Sequence, residues 1–255
     1  LGSEREVDYD TKGIDIIVAL DISGSMRAED FQPDNRLVVA KEEARRFIFN
    51  RESDRIGLVV FAAKSYTQCP LTLDYDILTN FLERVEIGMI KDGTAIGLAI
   101  ANAVNRLEES NAKSRIIVLL TDGENNSGQI DPLTAAEIAK TMGVRIYTIG
   151  VGRGGMVPYP AEDPVFGTIY KNIRLDVDED TLKEIARITE GLYFRARDRA
   201  GLREIYDTID DLEKTEIKVT EYVNYTQLYH YPLLAALCFL LLEIGMHYFF
   251  RITLP

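Results

Sequence analysis

The feature that most constrains this chain is a rhythm. Short apolar, β-branched runs at residues 14–20, 55–61, 115–120, 144–149 and 192–195 alternate with stretches that carry apolar residues at helical spacing. Those stretches are residues 35–51, 76–85, 94–107, 132–142, 180–189 and 199–212. In the first of them Leu37, Val38, Ala40, Ala44, Phe47 and Ile48 recur with a helical period. Runs that are apolar throughout read as strands buried on both faces, and such strands need helices on both sides. The pattern therefore predicts an α/β fold, with a doubly wound, mainly parallel sheet flanked by helices. Asp131 and Pro132 read as the cap and first turn of one helix, and Gly143 as its end.

The first strand leads into Asp21-Ile22-Ser23-Gly24-Ser25. In open α/β sheets, ligands bind at the turns leaving the carboxyl ends of strands. One carboxylate and two hydroxyls within five residues offer hard oxygen donors for Mg²⁺ or Mn²⁺. Gly24 lets the loop turn tightly. Two more oxygen-rich turns stand in similar places. Asp92-Gly93-Thr94 opens a helix, and Thr121-Asp122-Gly123 leaves a strand. Asp21, Ser23, Ser25, Thr94 and Asp122 are thus the candidate metal ligands. Taken singly, Asp92 or Thr94 reads as a helix cap and Asp122-Gly123 as a simple turn. Taken together and in this order, they read as one site.

Composition narrows the alternatives. The formal net charge of −12 argues against nucleic-acid binding, because phosphates would meet no counter-charge. Two cysteines, Cys69 and Cys238, are too few for a disulfide framework. Both histidines, His230 and His247, lie far from the serines, which disfavours a Ser-His-Asp hydrolase. No GxxxxGK[ST] is present. The glycine-rich stretch from Gly150 to Gly155 leads into Met156-Val157-Pro158 and not into a helix, which disfavours a dinucleotide loop. A metal-dependent phosphatase using Asp21 remains an alternative, although the second Asp expected of aspartyl-phosphate chemistry is absent. A structural subunit with a fold-stabilising metal is a further one.

Two segments break the rhythm. Residues 152–178 are rich in Gly and Pro, and read either as a surface insertion with a hairpin around Gly167 or as a partner-binding element. Residues 231–250 are mostly apolar, with an uninterrupted run at 233–242 and Tyr229, Tyr231 and Tyr248 at the flanks. This predicts a transmembrane helix at 228–250, with Glu243 and His247 able to pair one turn apart. The expected organisation is an N-terminal extension at 1–9, an α/β domain at 10–213, a connector at 214–227, the helix, and a short tail at 251–255. The chain opens at Leu1 and reads as a fragment or processed product.

The motif Asp21-x-Ser23-x-Ser25, with Thr94 in its Gly-Thr turn and Thr121-Asp122-Gly123 after a strand, resembles the metal-ion-dependent adhesion site of von Willebrand factor A domains. The resemblance implies that Ser23, Ser25 and Thr94 hold the cation through hydroxyls, and that Asp21 and Asp122 act directly or through water. The ion would be Mg²⁺, or Mn²⁺ or Ca²⁺. Residues 14–16, 55–62, 92–97, 131–136 and 147–152 resemble bacterial BatA-type (Bacteroides aerotolerance) membrane proteins. That similarity implies a non-enzymatic interaction module in the bacterial inner membrane. It would work beside other Bat-type proteins and a MoxR-type ATPase in stress or oxygen tolerance, and a partner protein would supply an acidic residue to the metal. The few basic residues around the apolar segment favour a periplasmic domain.

Overall fold

The computed structural model describes residues 13–163, 165–216 and 230–252. Residues 13–216 belong to one compact unit, and the last helix belongs to another. In the first unit the expected rhythm is present. The chain runs β1 (Asp15–Asp21), α1 (Arg36–Phe49), β2 (Arg55–Phe61), β3 (Ser65–Thr72), α2 (Tyr75–Glu83), α3 (Ile96–Leu107), β4 (Arg115–Thr121) and α4 (Pro132–Thr141). It continues through β5 (Arg145–Val151), β6 (Met156–Asp163), β7 (Gly167–Arg174), α5 (Glu179–Ile188), β8 (Tyr193–Ala196) and α6 (Arg199–Glu216).

Six strands form one sheet in the order β3-β2-β1-β4-β5-β8. All neighbours are parallel except β2 and β3. Strand alternation divides the core in two. Ile16, Val18 and Leu20 of β1 face a cluster that includes Phe47, Ile48 and Tyr206, contributed by α1 and α6. Ile17 and Ala19 face the opposite cluster, which includes Ile100, Ala136 and Ile185 of α3, α4 and α5. Both layers bury their apolar residues almost completely, so β1 and β4 are held from both faces and their carboxyl ends have little freedom. Because β1 sits between β2 and β4, successive connections diverge there, which is the switch point where ligands bind in such sheets.

Three local outcomes differ from expectation. Strand β3 was not anticipated: it is a half-exposed edge strand carrying Pro70, and its pairing with β2 shifts register twice. It has neither an apolar run nor a clean alternation to betray it. Helix α3 starts at Ile96, not at Thr94, which leaves Thr94 free of the helix. Helix α6 runs on to Glu216, so Lys214, expected in a connector, is helical and pairs with Asp210 at 2.6 Å. Asp131 does cap α4, accepting from the Thr134 amide at 2.9 Å. Residues 152–178 contain the hairpin β6–β7.

The second unit contains α7 (His230–Ile252). Its described side chains from Leu233 to Met246 are exposed, Leu233, Leu237, Phe239 and Leu242 among them. Among the described residues no helix is long and apolar enough to cross a membrane. The segment expected as a transmembrane helix at 228–250 is helical over His230–Ile252, and its described side chains are exposed and mostly apolar, with Glu243 among them. The expected N-terminal extension at 1–9, most of the connector, and the end of the tail lie outside the described residues.

Candidate metal centre

Asp21 is the last residue of β1, and Thr121 is the last of β4, so Asp122 follows directly. The two strands pair in register up to Leu20 opposite Leu120, which places the two carboxylates side by side at one sheet edge. The loop after β1 turns into a single 3-10 turn, Gly24–Arg27, with Met26 buried beneath it. That turn brings the serine side chains round together, with Ser23 Oγ and Ser25 Oγ 3.0 Å apart. Ser25 Oγ donates to Asp122 Oδ1 at 2.5 Å. The Ser23 amide donates to Asp21 Oδ1 at 2.8 Å, and Thr121 Oγ1 donates to Asp21 Oδ2 at 2.6 Å.

Thr94 is brought in by a clasp between two loops. Its amide donates to Asn126 Oδ1 at 2.8 Å, and its carbonyl accepts from the amides of Asn126 and Ser127. The clasp also answers the capping question. Ile96, the first residue of α3, donates its amide to Asn125 Oδ1 at 2.9 Å, and Ala95 supplies no side-chain cap. Neither Asp92 nor Thr94 caps the helix. The Thr94 hydroxyl instead lies against Gly123, where a Cβ would come within 3.1 Å of Thr94 Oγ1. Asp92 Oδ1 accepts from the amides of Gly24 and Gly93 at 2.7 and 2.9 Å, tying the Thr94 loop to the serine loop. Gly93 has φ +130°, a value that only glycine adopts without strain. All five candidates therefore meet at one edge.

Four residues around the site were not singled out from the sequence as members: Thr121, Asp92, Arg36 and Asp30. Arg36 opens α1 and is fully buried. Its Nη1 donates to Asp122 Oδ2 at 2.7 Å, and its Nε and Nη2 grip both oxygens of Asp30 at 2.7 Å. In sequence it reads as an ordinary first-turn residue of a helix, and only the fold shows that it points inward. Asn125 and Asn126 likewise carry no sequence signal of their role, which is set by the clasp.

The electrostatics are uneven. Asp21, Asp122 and Asp30 are buried, and among the described residues the buried cation facing them is Arg36. Burial pushes the Asp21 carboxyl up to about 7, and the neighbouring Asp122 adds to the rise. Burial also raises Asp122, against the pull of Arg36. For Asp30 the burial penalty is outweighed by the hydrogen bonds from Arg36 and from the Arg153 amide, so its carboxyl is held below the usual range. With all three carboxyls ionised, the cluster is two positive charges short of neutrality, in a place where water screens poorly. Hydroxyls and carboxylates at such an edge fit a hard divalent ion. Among the described residues no group of three or more His, Cys, Asp or Glu side chains is arranged to hold a metal, so a cation here depends on the hydroxyls.

Comparison with known proteins agrees with this fold. Residues 15–208 match the von Willebrand factor type A domain. The chain belongs to that family. It is similar to an aerotolerance-related membrane protein of Bacteroides fragilis, with 33% identity and a TM-score of 0.67, over 78% of this chain and 98% of that one. It is similar to BatB of Bacteroides thetaiotaomicron, with 34% identity and a TM-score of 0.67, over 79% of this chain and 100% of that one. An uncharacterized Borreliella burgdorferi protein is 34% identical over 242 residues, which is 94% of this chain and 70% of that protein. The chain spans 62% of the length of a 27% identical protein from Nocardia farcinica, matched over 77% of this chain.

Proposed function

We propose that this chain is a divalent-cation-dependent protein-interaction module. The observation that carries the reading is the convergence of Asp21, Ser23, Ser25, Thr94 and Asp122 at the switch-point edge, with a buried deficit of two positive charges. Mg²⁺, or Mn²⁺ or Ca²⁺, supplies that charge. Three of the five donors are neutral hydroxyls, so a bound cation keeps much of its charge and attracts an anionic ligand. A carboxylate from a partner protein is the matching chemistry.

An enzymatic role for Asp21 fits less well. Its two oxygens accept hydrogen bonds from the Ser23 amide and Thr121 Oγ1, and the side chain is fully buried, which is the setting of a holder and not of a nucleophile. We also place the module at a membrane, in the company of Bat-type proteins and a MoxR-type ATPase, in stress or oxygen tolerance. Two observations support this: the similarity to an aerotolerance-related membrane protein, and the exposed leucines of α7, which an aqueous setting would leave uncovered.

The test is calorimetric titration with Mg²⁺ and Mn²⁺, paired with thermal melts. Saturating cation at a hundred times Kd should stabilise the wild type by about 2.7 kcal/mol. The double variant Ser23→Ala/Ser25→Ala should lose both binding and stabilisation while keeping its cation-free melt. Loss of chelator-sensitive partner capture in the same variant supports the interaction role. Capture that persists without cation would leave only a structural metal.

A further inference from the structure

Arg36 does more than neutralise one carboxylate. Its guanidinium is fully buried and divided between two loops: Nη1 on Asp122 at the metal centre, and Nε and Nη2 on Asp30. Asp30 in turn accepts the Arg153 amide at 2.8 Å, at the entrance to the β6–β7 hairpin. The preceding residue, Glu29, donates its amide to the Pro158 carbonyl of β6 at 3.0 Å. Gly152, at φ +118°, lies flat on the guanidinium: a Cβ there would sit 2.5 Å from the Arg36 Cζ. One buried chain of contacts therefore runs from Asp122 through Arg36 and Asp30 to the base of the hairpin. Both strands of the hairpin carry exposed side chains, Met156 and Tyr170 among them.

We infer that Arg36 and Asp30 are positioning residues that couple cation occupancy at the Asp21–Asp122 centre to the order of the β6–β7 hairpin. The inference rests on the cation reading above. Its physics is charge competition in a medium that screens poorly. A divalent ion takes over the charge of Asp122 and repels the guanidinium beside it. The guanidinium is fully buried, and Asp30 is its other carboxylate. The bidentate Arg36–Asp30 pair tightens, and the loop that anchors Arg153 and Pro158 tightens with it. By linkage, anything that orders the hairpin, a bound partner included, strengthens the cation in the same proportion.

Hydrogen exchange read by mass spectrometry tests this, with each protein at a saturating concentration of Mn²⁺ and again in chelator. In the wild type, peptides covering β6 and β7 should exchange at least about five-fold more slowly with Mn²⁺. Peptides from the far edge, in β2 and α2, should not respond. In Asp30→Asn the bidentate ion pair is gone and the hairpin response should vanish. Arg36→Lys keeps the charge but loses the fork and should blunt the response. A merely structural pair would speed exchange in both conditions and leave the difference between them intact. A hairpin response that survives in both variants, or a wild type that binds Mn²⁺ without any hairpin response, overturns the coupling alone. A wild type that binds no Mn²⁺ overturns the cation reading as well.

Discussion

The two ends of the central sheet handle buried carboxylates in opposite ways. At the end where the parallel strands begin, each of three buried acids is met by an arginine, although Arg51 also pairs with Asp210 at 3.0 Å. Asp15 is held by Arg55 and Ser110. Glu213 of α6 accepts from Arg145 at 2.8 Å, Tyr147 Oη at 2.6 Å and Ser114 Oγ at 2.7 Å. Asp54 accepts from Arg51 at 2.9 Å and from the Ile14 amide at 2.7 Å. At the end where the strands finish, Asp21 has only neutral donors, and Asp122 shares Arg36 with Asp30. The first end is closed electrostatically and holds the fold together. The second end is left open, and the proposed cation would supply the charge that it lacks. Buried acids are costly at both ends; what differs is whether the chain itself supplies the counter-charge.

The largest effect should come from breaking the closed end. Glu213→Ala strips the acceptor from Arg145, Tyr147 and Ser114 together. Removing one partner of a buried pair typically costs about 3–5 kcal/mol. Arg145 is only partly buried, so water can recover some of that and the loss belongs near the lower figure. Urea denaturation should show it, with cation affinity per folded molecule unchanged. A fall in affinity would mean that the two ends are not independent.

The open end should instead reveal itself through pH. The folded-state Asp21 carboxyl stands at about 7, above its unfolded value of 3.8. Between these values the native state binds more protons than the unfolded chain. The stability tied to this group is therefore complete below the lower value and is lost as pH rises through the upper one. In chelator, the unfolding free energy should fall from pH 5 to pH 8 by at most about 1.4 kcal/mol per pH unit. Asp21→Asn should flatten that slope. Cation binding requires the ionised carboxylate, so Mn²⁺ affinity should move the other way and weaken up to about tenfold per pH unit below 7. Stability that is flat in chelator across this range would show that Asp21 is not starved of positive charge.

How much of this was legible in the sequence follows from where each signal sits. The apolar runs of β1, β2, β4 and β5 carried the fold because a strand buried on both faces needs no partner to look like one. The five candidate ligands were legible because each stands at a strand end or a helix entrance, in residue types that share one chemistry. β3 was not, since an edge strand need not be apolar. Arg36 and Asp30 were not either. They are six residues apart across an irregular loop, and no periodicity states that an arginine at a helix start faces inward. What decides their role is the crossing of that loop over the end of β4, which is a property of the tertiary structure alone. The apolar stretch of α7 was legible as a helix from its length and composition, and its described side chains are exposed and mostly apolar.

The smallest effect separates contact from charge at the open end. Asp92 is exposed, yet its Oδ1 accepts from both the Gly24 and Gly93 amides, stapling the serine loop to the Thr94 loop. Asp92→Ala removes the staple, while both amides stay close enough to solvent to find water. A hydrogen bond lost in that setting costs about 0.5–1.5 kcal/mol. That cost should fall on ligand geometry more than on the fold, because neither core layer is touched. Mn²⁺ affinity should therefore drop by less than about tenfold, with little change in the cation-free melt. Asp92→Asn keeps an acceptor oxygen and should recover most of the affinity. If the open end depended on total negative charge alone, Asp92→Asn would be as weak as Asp92→Ala. If it depends on the placement of five donors, the amide rescues and the methyl does not.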